Sequence, residues 1–196
     1  IGVVFKAQYT DYKDSTYPVA AKTLMDDYTA TDLYTFKQEA VLMTQFNHPN
    51  VVSLIGVVTA GEPKLLVMEY CHNGSLDKYL QRSFQRIQVS VLGKLKMGID
   101  VLDGMCHIVS KNVIHRDLAC RNILVAEDFT CKVADFGLSR NDTYYQSKAK
   151  NFPIKWTAPE AFNESLFSEA SDVWSFGILM CEIFLNGADP YPVYTY

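Results

Sequence analysis

The stretch His115-Arg116-Asp117-Leu118-Ala119-Cys120-Arg121-Asn122 constrains this chain more than any other, because polar functional side chains crowd together between apolar Val113-Ile114 and Ile123-Leu124-Val125. A polar run framed in this way is seldom a solvated face. The fold has to bring it to the edge of a core and find partners for each group. Further on, Asp135-Phe136-Gly137 again follows an apolar run, Val133-Ala134. An amide oxygen from Asn122 and a carboxylate from Asp135, once together, suit a hard cation such as Mg²⁺, which prefers oxygen ligands and retains phosphates and waters.

A second signal lies nearer the start. Asp32 is placed to cap a helix running to about Phe46, with Leu33, Phe36, Ala40 and Met43 at helical spacing. A turn of 100° per residue sets Glu39 in the middle of that apolar stripe, so its carboxylate faces inward. Buried unpaired, it would cost several kcal/mol, and the apolar strand Val19-Ala20-Ala21-Lys22 offers a cation. Lys22 is the candidate partner; a lysine with its stem along the sheet and its amine in water is the other reading.

Around these signals the pattern is strands first and helices later. Residues 2–9 and 17–24 read as strands about a turn at Asp11 to Ser15. Val51 to Val58 and Lys64 to Tyr70 read as strands joined by Ala60-Gly61-Glu62-Pro63. Ser75 is placed to cap a short helix. A longer helix follows, with Val91, Leu95, Ile99, Leu102, Met105 and Val109 as its stripe. Short strand-like runs fill Asn112 to Arg140, and a polar segment continues to Lys150. Val173 to Leu185, apolar on nearly every face, reads as a helix buried at the centre of its lobe.

Composition narrows the function. With 18 Lys plus Arg against 22 Asp plus Glu, the net charge of −4 argues against a binder of duplex phosphates. A hydrophobic share of 48% and a charged share of 20% set aside disordered and coiled-coil readings. Five scattered cysteines with no C-x-x-C pair suggest neither a disulfide framework nor zinc, and fit a reducing compartment. The longest apolar run is broken by Glu182 and is shorter than the roughly 20 residues a membrane helix needs. Ile1 at the start and Tyr194-Thr195-Tyr196 at the end read as the cut ends of a fragment.

Val19-Ala20-Ala21-Lys22, Glu39, the H-R-D-L-A-C-R-N stretch, Asp135-Phe136-Gly137 and Ala158-Pro159-Glu160 together resemble the eukaryotic protein-kinase signature set, in the family's order and over essentially the whole chain. Arg121 and Phe152-Pro153-Ile154-Lys155-Trp156 resemble the tyrosine-kinase branch; serine/threonine kinases usually carry Lys two residues after the catalytic Asp, where this chain has Ala119. The resemblance implies an α+β, bilobal fold: a small antiparallel-sheet N-lobe with one helix over residues 1–70, and a mainly helical C-lobe over 71–196. Only Gly2 and Val4 represent the glycine-rich loop, and the C-terminal helices that would pair with Glu160 are not in the chain. A fragment of this kind is expected to have low stability and weak ATP affinity on its own.

The resemblance also implies roles. Asp117 is the base, with Lys22, oriented by Glu39, on the α- and β-phosphates of ATP and Arg121 neutralising charge. Asn122 and Asp135 hold Mg²⁺. Gly2, Val4, Ala20, Met68, Glu69, Cys71 and Leu124 form the nucleotide seat, Met68 as gatekeeper and Met68 to Cys71 as the hinge. Met43, Leu54, His115 and Phe136 stack into a spine across both lobes. Tyr144 or Tyr145 is the regulatory phosphorylation site, its phosphate pairing with Arg116 and Arg140. Pro153 and Trp156 form a shelf for the substrate tyrosine. Asp172 accepts N–H groups from the catalytic loop, or is a simple helix cap. The expected activity is phosphoryl transfer from ATP to protein tyrosines, with a second copy as a possible autophosphorylation partner. The expected location is cytoplasmic, free or as the inner part of a membrane receptor. A pseudokinase docking module is the rival reading, and a small-molecule phosphotransferase a weaker one.

Overall fold

The computed structural model describes residues 2–25, 27–85, 88–142, 144–146 and 153–192 of the chain. Phe152, residues 147–150 of the polar segment, Ile1 and the terminal Tyr194-Thr195-Tyr196 lie outside the described residues.

Strands β1 (Gly2–Thr10), β2 (Thr16–Leu24), β3 (Leu54–Val58) and β4 (Leu65–Glu69) form one antiparallel sheet in the order β1-β2-β4-β3. Side chains alternate across a strand. The register therefore sets Val4 opposite Lys22, Lys22 opposite Leu66, and Ala20 opposite Met68, all on one face. Helix α1 (Ala30–Met43) covers part of that face by packing Phe36 on Leu24 and Leu66. The uncovered part, at Ala20 and Met68, opens toward the helical half.

That half is built on α2 (Leu76–Phe84), α3 (Val91–Val109), the short α4 (Pro159–Glu164) and α5 (Glu169–Phe184). Three two-stranded ribbons supplement them: β5 (Val113–Ile114) with β8 (Arg140–Asn141), β6 (Ile123–Val125) with β7 (Cys131–Val133), and β9 (Tyr144–Gln146) with β10 (Leu166–Ser168). One apolar cluster joins the halves, running from Leu42 and Met43 of α1 through Val101 and Ile108 of α3 to Leu179 and Ile183 of α5.

Several expectations are corrected. The cap of α1 is Thr29: its hydroxyl accepts from Asp32 N at 3.2 Å, and the Asp32 carboxylate accepts from Thr29 N at 2.8 Å, a reciprocal capping box. The helix ends at Met43, short of Phe46. Val51 and Val52 precede β3 and tie to Val133 in the helical half, Val52 N donating to Val133 O at 2.9 Å. Ser75 sits at the cap position of α2, but its side chain makes no capping bond.

The face of α3 differs most. Val91, Leu95, Ile99 and Leu102 are exposed, while Lys94, Met97, Gly98, Val101, Gly104, Met105 and Ile108 are buried. Both faces of this helix are apolar enough to pass as a core stripe, and glycine decides between them. A Cβ on Gly104 would lie 2.4 Å from Asn50 O, so only glycine lets α3 approach the α1–β3 connection this closely. The polar groups on the buried face are satisfied. Asp100 accepts from Cys131 N at 3.0 Å, and Lys94 donates to Asn186 at 2.7 Å. Helix α5 is also buried on one side only, since Val173, Trp174 and Phe184 are exposed.

All five cysteines are free, as the spacing predicts, with Cys71, Cys120 and Cys131 buried. Among the described residues no helix is long and apolar enough to cross a membrane. The two glycines separate in sign. Gly104→Ala should lose about 1–3 kcal/mol by overpacking, whereas Gly177→Ala in α5, whose added Cβ would meet nothing within 4 Å among the described residues, should gain roughly 0.5–1 kcal/mol. Urea unfolding of the two variants checks both directions.

Candidate active site

Lys22 reaches from β2 into the space between the halves. Its Nζ donates to Glu39 Oε1 at 2.7 Å and Oε2 at 2.9 Å, and to Asp135 Oδ1 at 3.1 Å. Glu39 is 4% exposed, so of the two readings of Lys22 the paired one holds. Burial pulls the Lys22 amine down, but the Glu39 and Asp135 carboxylates outweigh it and the amine stays above its ordinary value. Burial raises the Glu39 carboxyl, and Lys22 only partly offsets this. At Asp135 burial also pushes up, but there Lys22 prevails and holds the carboxyl below its usual range.

Asp135 lies at φ 60°, the left-handed region, and Phe136 beside it is almost wholly buried. The Phe136 ring packs on Phe46 at 4.8 Å and edge-on to His115 at 5.4 Å, while His115 Nε2 bonds Ala134 O at 3.1 Å. Met43 belongs to the same cluster, with Leu54 packed against it. The four expected spine residues therefore lie in one packed region beneath Lys22.

The polar-dense stretch folds into a loop that closes on itself. Asp117 takes an ion pair from Arg121 on Oδ1 and a bond from Asn122 Nδ2 on Oδ2 at 2.7 Å. Asn122 Nδ2 also donates to Asp117 O at 2.7 Å. The loop is held from below by Asp172 in the first turn of α5, whose carboxylate accepts from His115 N at 2.7 Å and Arg116 N at 2.9 Å. Asp172 is thus the loop's acceptor. Burial raises its carboxyl, against the pull of His115, Arg116 and the two N–H groups.

Gly2, Lys22, Glu39, Asp117, Asp135 and Gly137 all line one cleft of about 470 Å³. Asp135 lines this cleft and Asn122, which does not, is bonded to Asp117; both carry the hard oxygen ligands that Mg²⁺ prefers. Both Asn122 bonds leave through Nδ2, so its amide oxygen is not used on Asp117, and the Asp135 side chain is half exposed. Among the described residues no three His, Cys, Asp or Glu side chains gather as a metal cage.

The nucleotide-seat residues divide. Val4, Ala20 and Met68 share the sheet face above the cleft, and Leu124 of β6 is half-buried beside a bridge to Ser75. The Glu69 carboxylate is occupied elsewhere, accepting from Ser53 N at 2.7 Å and pairing with Lys132 at 3.0 Å. The Cys71 thiol sits in the core, pushed up to about 12 by burial.

Tyr145 pairs with Phe167 across β9 and β10, and its ring lies under two cations, 4.3 Å from Arg116 and 5.2 Å from Arg140. Tyr144 is exposed. Burial, then the charge of Arg140, lowers Arg116 to about 10, and among the described residues its buried Nε has no hydrogen-bond partner. Trp156 lies beneath Arg121, ring to guanidinium at 4.6 Å. The sequence reading passed over Glu182, whose buried carboxylate accepts from both Cys120 N and Trp156 Nε1. The inward-carboxylate argument that singled out Glu39 applies equally to Glu182, which interrupts an apolar helix.

A four-stranded sheet with one helix is set on a helical half across a cleft lined by the Lys22–Glu39 pair, Asp117 and Asp135. A family model described as protein tyrosine and serine/threonine kinase matches residues 1–196, and the chain belongs to that family. The chain is similar to tyrosine-protein kinase Fer of Mus musculus, 45% identical over 186 residues, which are 93% of the chain and 22% of that protein. It is 46% identical over 182 residues to ephrin type-B receptor 5 of Gallus gallus, covering 89% of the chain and 18% of the receptor. With human ephrin type-A receptor 5 the identity is 44% over 179 residues, 89% of the chain and 17% of the receptor. The chain therefore spans about a fifth of the length of these relatives.

Removing the amine isolates Glu39, whose carboxyl is then raised by burial and by Asp135 without opposition. Its charged form burdens the fold above that raised value and ceases to do so below the ordinary 4.5. Lys22→Met should cost about 3 kcal/mol at pH 7. The loss should shrink as the pH falls toward 4.5, and a Lys22→Met/Glu39→Gln protein should recover most of it; urea unfolding across pH reads all three.

Proposed function

We propose that this chain transfers the γ-phosphoryl group of ATP to tyrosine hydroxyls of protein substrates. Residues 1–70 act as the nucleotide-covering lobe, and 71–196 as the lobe that presents the base and the substrate. The observation that carries this reading is the state of Asp117: a carboxylate at the cleft with one oxygen held by Arg121 and the other by Asn122.

A carboxylate fixed on both sides meets an incoming hydroxyl in one orientation, which lowers the entropic part of the barrier. A tyrosine hydroxyl has a pKa near 10, so Asp117 orients it and takes its proton late, as the γ-phosphoryl passes in line through a loose transition state. Lys22, aimed by Glu39, holds the α- and β-phosphates, and Arg121 offsets charge near the base. Asn122 and Asp135 would hold Mg²⁺, which would supply positive charge to offset that of the phosphates. Gly2, Val4, Ala20, Met68 and Leu124, with the backbone of Glu69 and Cys71, seat the nucleotide. Trp156 and Pro153 form the floor for the substrate ring. The names of the relatives support tyrosine as acceptor. The presence of Lys22, Glu39, Asp117, Asn122 and Asp135 in one chain supports an active enzyme over a docking module.

Tyr144 or Tyr145 serves as the regulatory phosphorylation site, with a second copy of the chain as the phosphorylating partner. Phosphate on Tyr145 adds up to about two negative charges beside Arg116 and Arg140, both of which lie over its ring. The enzyme works in the cytoplasm, free or as the inner part of a membrane receptor.

Incubation with Mg-ATP and a poly(Glu,Tyr) peptide should label tyrosine, and Asp117→Asn should cut the rate by about 10²–10⁴. Equal labelling of serine peptides would remove the tyrosine assignment, and an unchanged rate in the variant would remove Asp117 as base.

A further inference from the structure

Helix α5 meets the catalytic loop and the Ile154–Trp156 turn along a single face. Asp172 holds His115 N and Arg116 N, Ser175 Oγ donates to Trp156 O at 2.8 Å, and Leu179 O accepts from the Cys120 thiol at 3.7 Å. Glu182 completes the row: its Oε2 accepts from Cys120 N at 3.0 Å and from the indole Nε1 of Trp156 at 2.8 Å. Steps of three, four and three residues keep all four positions on one stripe of the helix.

Glu182 is a costly choice for that position. It is 5% exposed, and it lies in the last turn of α5, where the helix dipole disfavours a negative charge. An apolar side chain would avoid both penalties but would leave the Cys120 N–H and the Trp156 indole N–H without this acceptor. What the carboxylate adds is direction, since it fixes the edge of the Trp156 ring. Against the face of that ring lies the Arg121 guanidinium at 4.6 Å, and Arg121 is the group paired with Asp117 Oδ1. A continuous line of contacts therefore runs from Glu182 through Trp156 and Arg121 to the base.

We propose that Glu182 is a positioning residue for phosphoryl transfer: by holding the Trp156 indole it fixes the platform on which Arg121 lies, and through Arg121 it sets the orientation of the Asp117 carboxylate. The proposal rests on the reading of Asp117 as the base for tyrosine. It touches no group that seats the nucleotide, so it separates turnover from ATP binding.

The test is steady-state kinetics of the protein and of Glu182→Gln, Trp156→Phe and the double variant, with Mg-ATP and poly(Glu,Tyr). Each single change should lower kcat by about tenfold to a hundredfold with the KM for ATP unchanged. The double variant should lose little more than either single, because both break the same line. Multiplying losses in the double variant, an unchanged kcat in either single, or a matching rise in the KM for ATP would overturn the proposal. Should Glu182→Gln fail to fold, Trp156→Phe, which removes the indole N–H and leaves the carboxylate on Cys120, carries the same expectation and the same contrary result. A parent protein without tyrosine labelling would count against the proposed activity instead. The line of contacts is then read from the Arg121 side-chain Nε–H resonance in a ¹⁵N spectrum, which both single variants should shift and which overturns the proposal if neither does.

Discussion

One ammonium group holds the two halves of this molecule in register. The Lys22 amine bonds Glu39 of α1 and Asp135 of the helical half at once. Glu39 lies in the buried stripe of its helix, where an unpaired carboxylate would be expelled or neutralised, so α1 can pack as it does only while Lys22 is in reach. That places α1 on the sheet, and Met43 at the end of α1 on the cluster that includes Phe136. The position of Asp135 in the cleft follows from both contacts: Lys22 attracts its charge, and the buried Phe136 anchors the backbone beside it.

A second anchor acts from below. The Asp172 carboxylate fixes the backbone at His115 and Arg116, the residues directly before Asp117. Asp117 is then held sideways by Arg121 and Asn122. Coulombic attraction from the sheet and backbone hydrogen bonding from α5 therefore converge on one cleft, from elements far apart in the chain. A chemical role for Asp117, Asp135 and Lys22 needs both, since either anchor alone would leave one side of the cleft free to drift.

Much of this was legible in the residues. The inward position of Glu39 follows from helical spacing and its need for a cation from the cost of buried charge, whereas the hydrogen bonds decide that Lys22 is that cation and that Asp172 serves the loop and is not a simple cap. The four strands of the sheet and the five free cysteines follow from local pattern. The errors have physical causes. In α3 both faces are apolar, and the buried one is selected by the close approach that Gly104 permits, which no hydrophobicity count registers. For α1, Thr29 and Asp32 sit three residues apart and both are capping residues, and only the hydrogen bonds show that Asp32 is the reciprocal partner. The cations over Tyr145 and the line through Trp156 depend on tertiary neighbours and have no local signature.

The central claim is that the Lys22 junction serves the phosphates of a nucleotide as well as the packing of α1. The most direct measurement is the shift in thermal midpoint on adding ATP with Mg²⁺, compared between the protein and a Lys22→Met/Glu39→Gln variant that keeps the packing but lacks the amine. The account predicts a rise that grows with nucleotide concentration, needs Mg²⁺, and is lost in the variant. An equal rise in both proteins would contradict it.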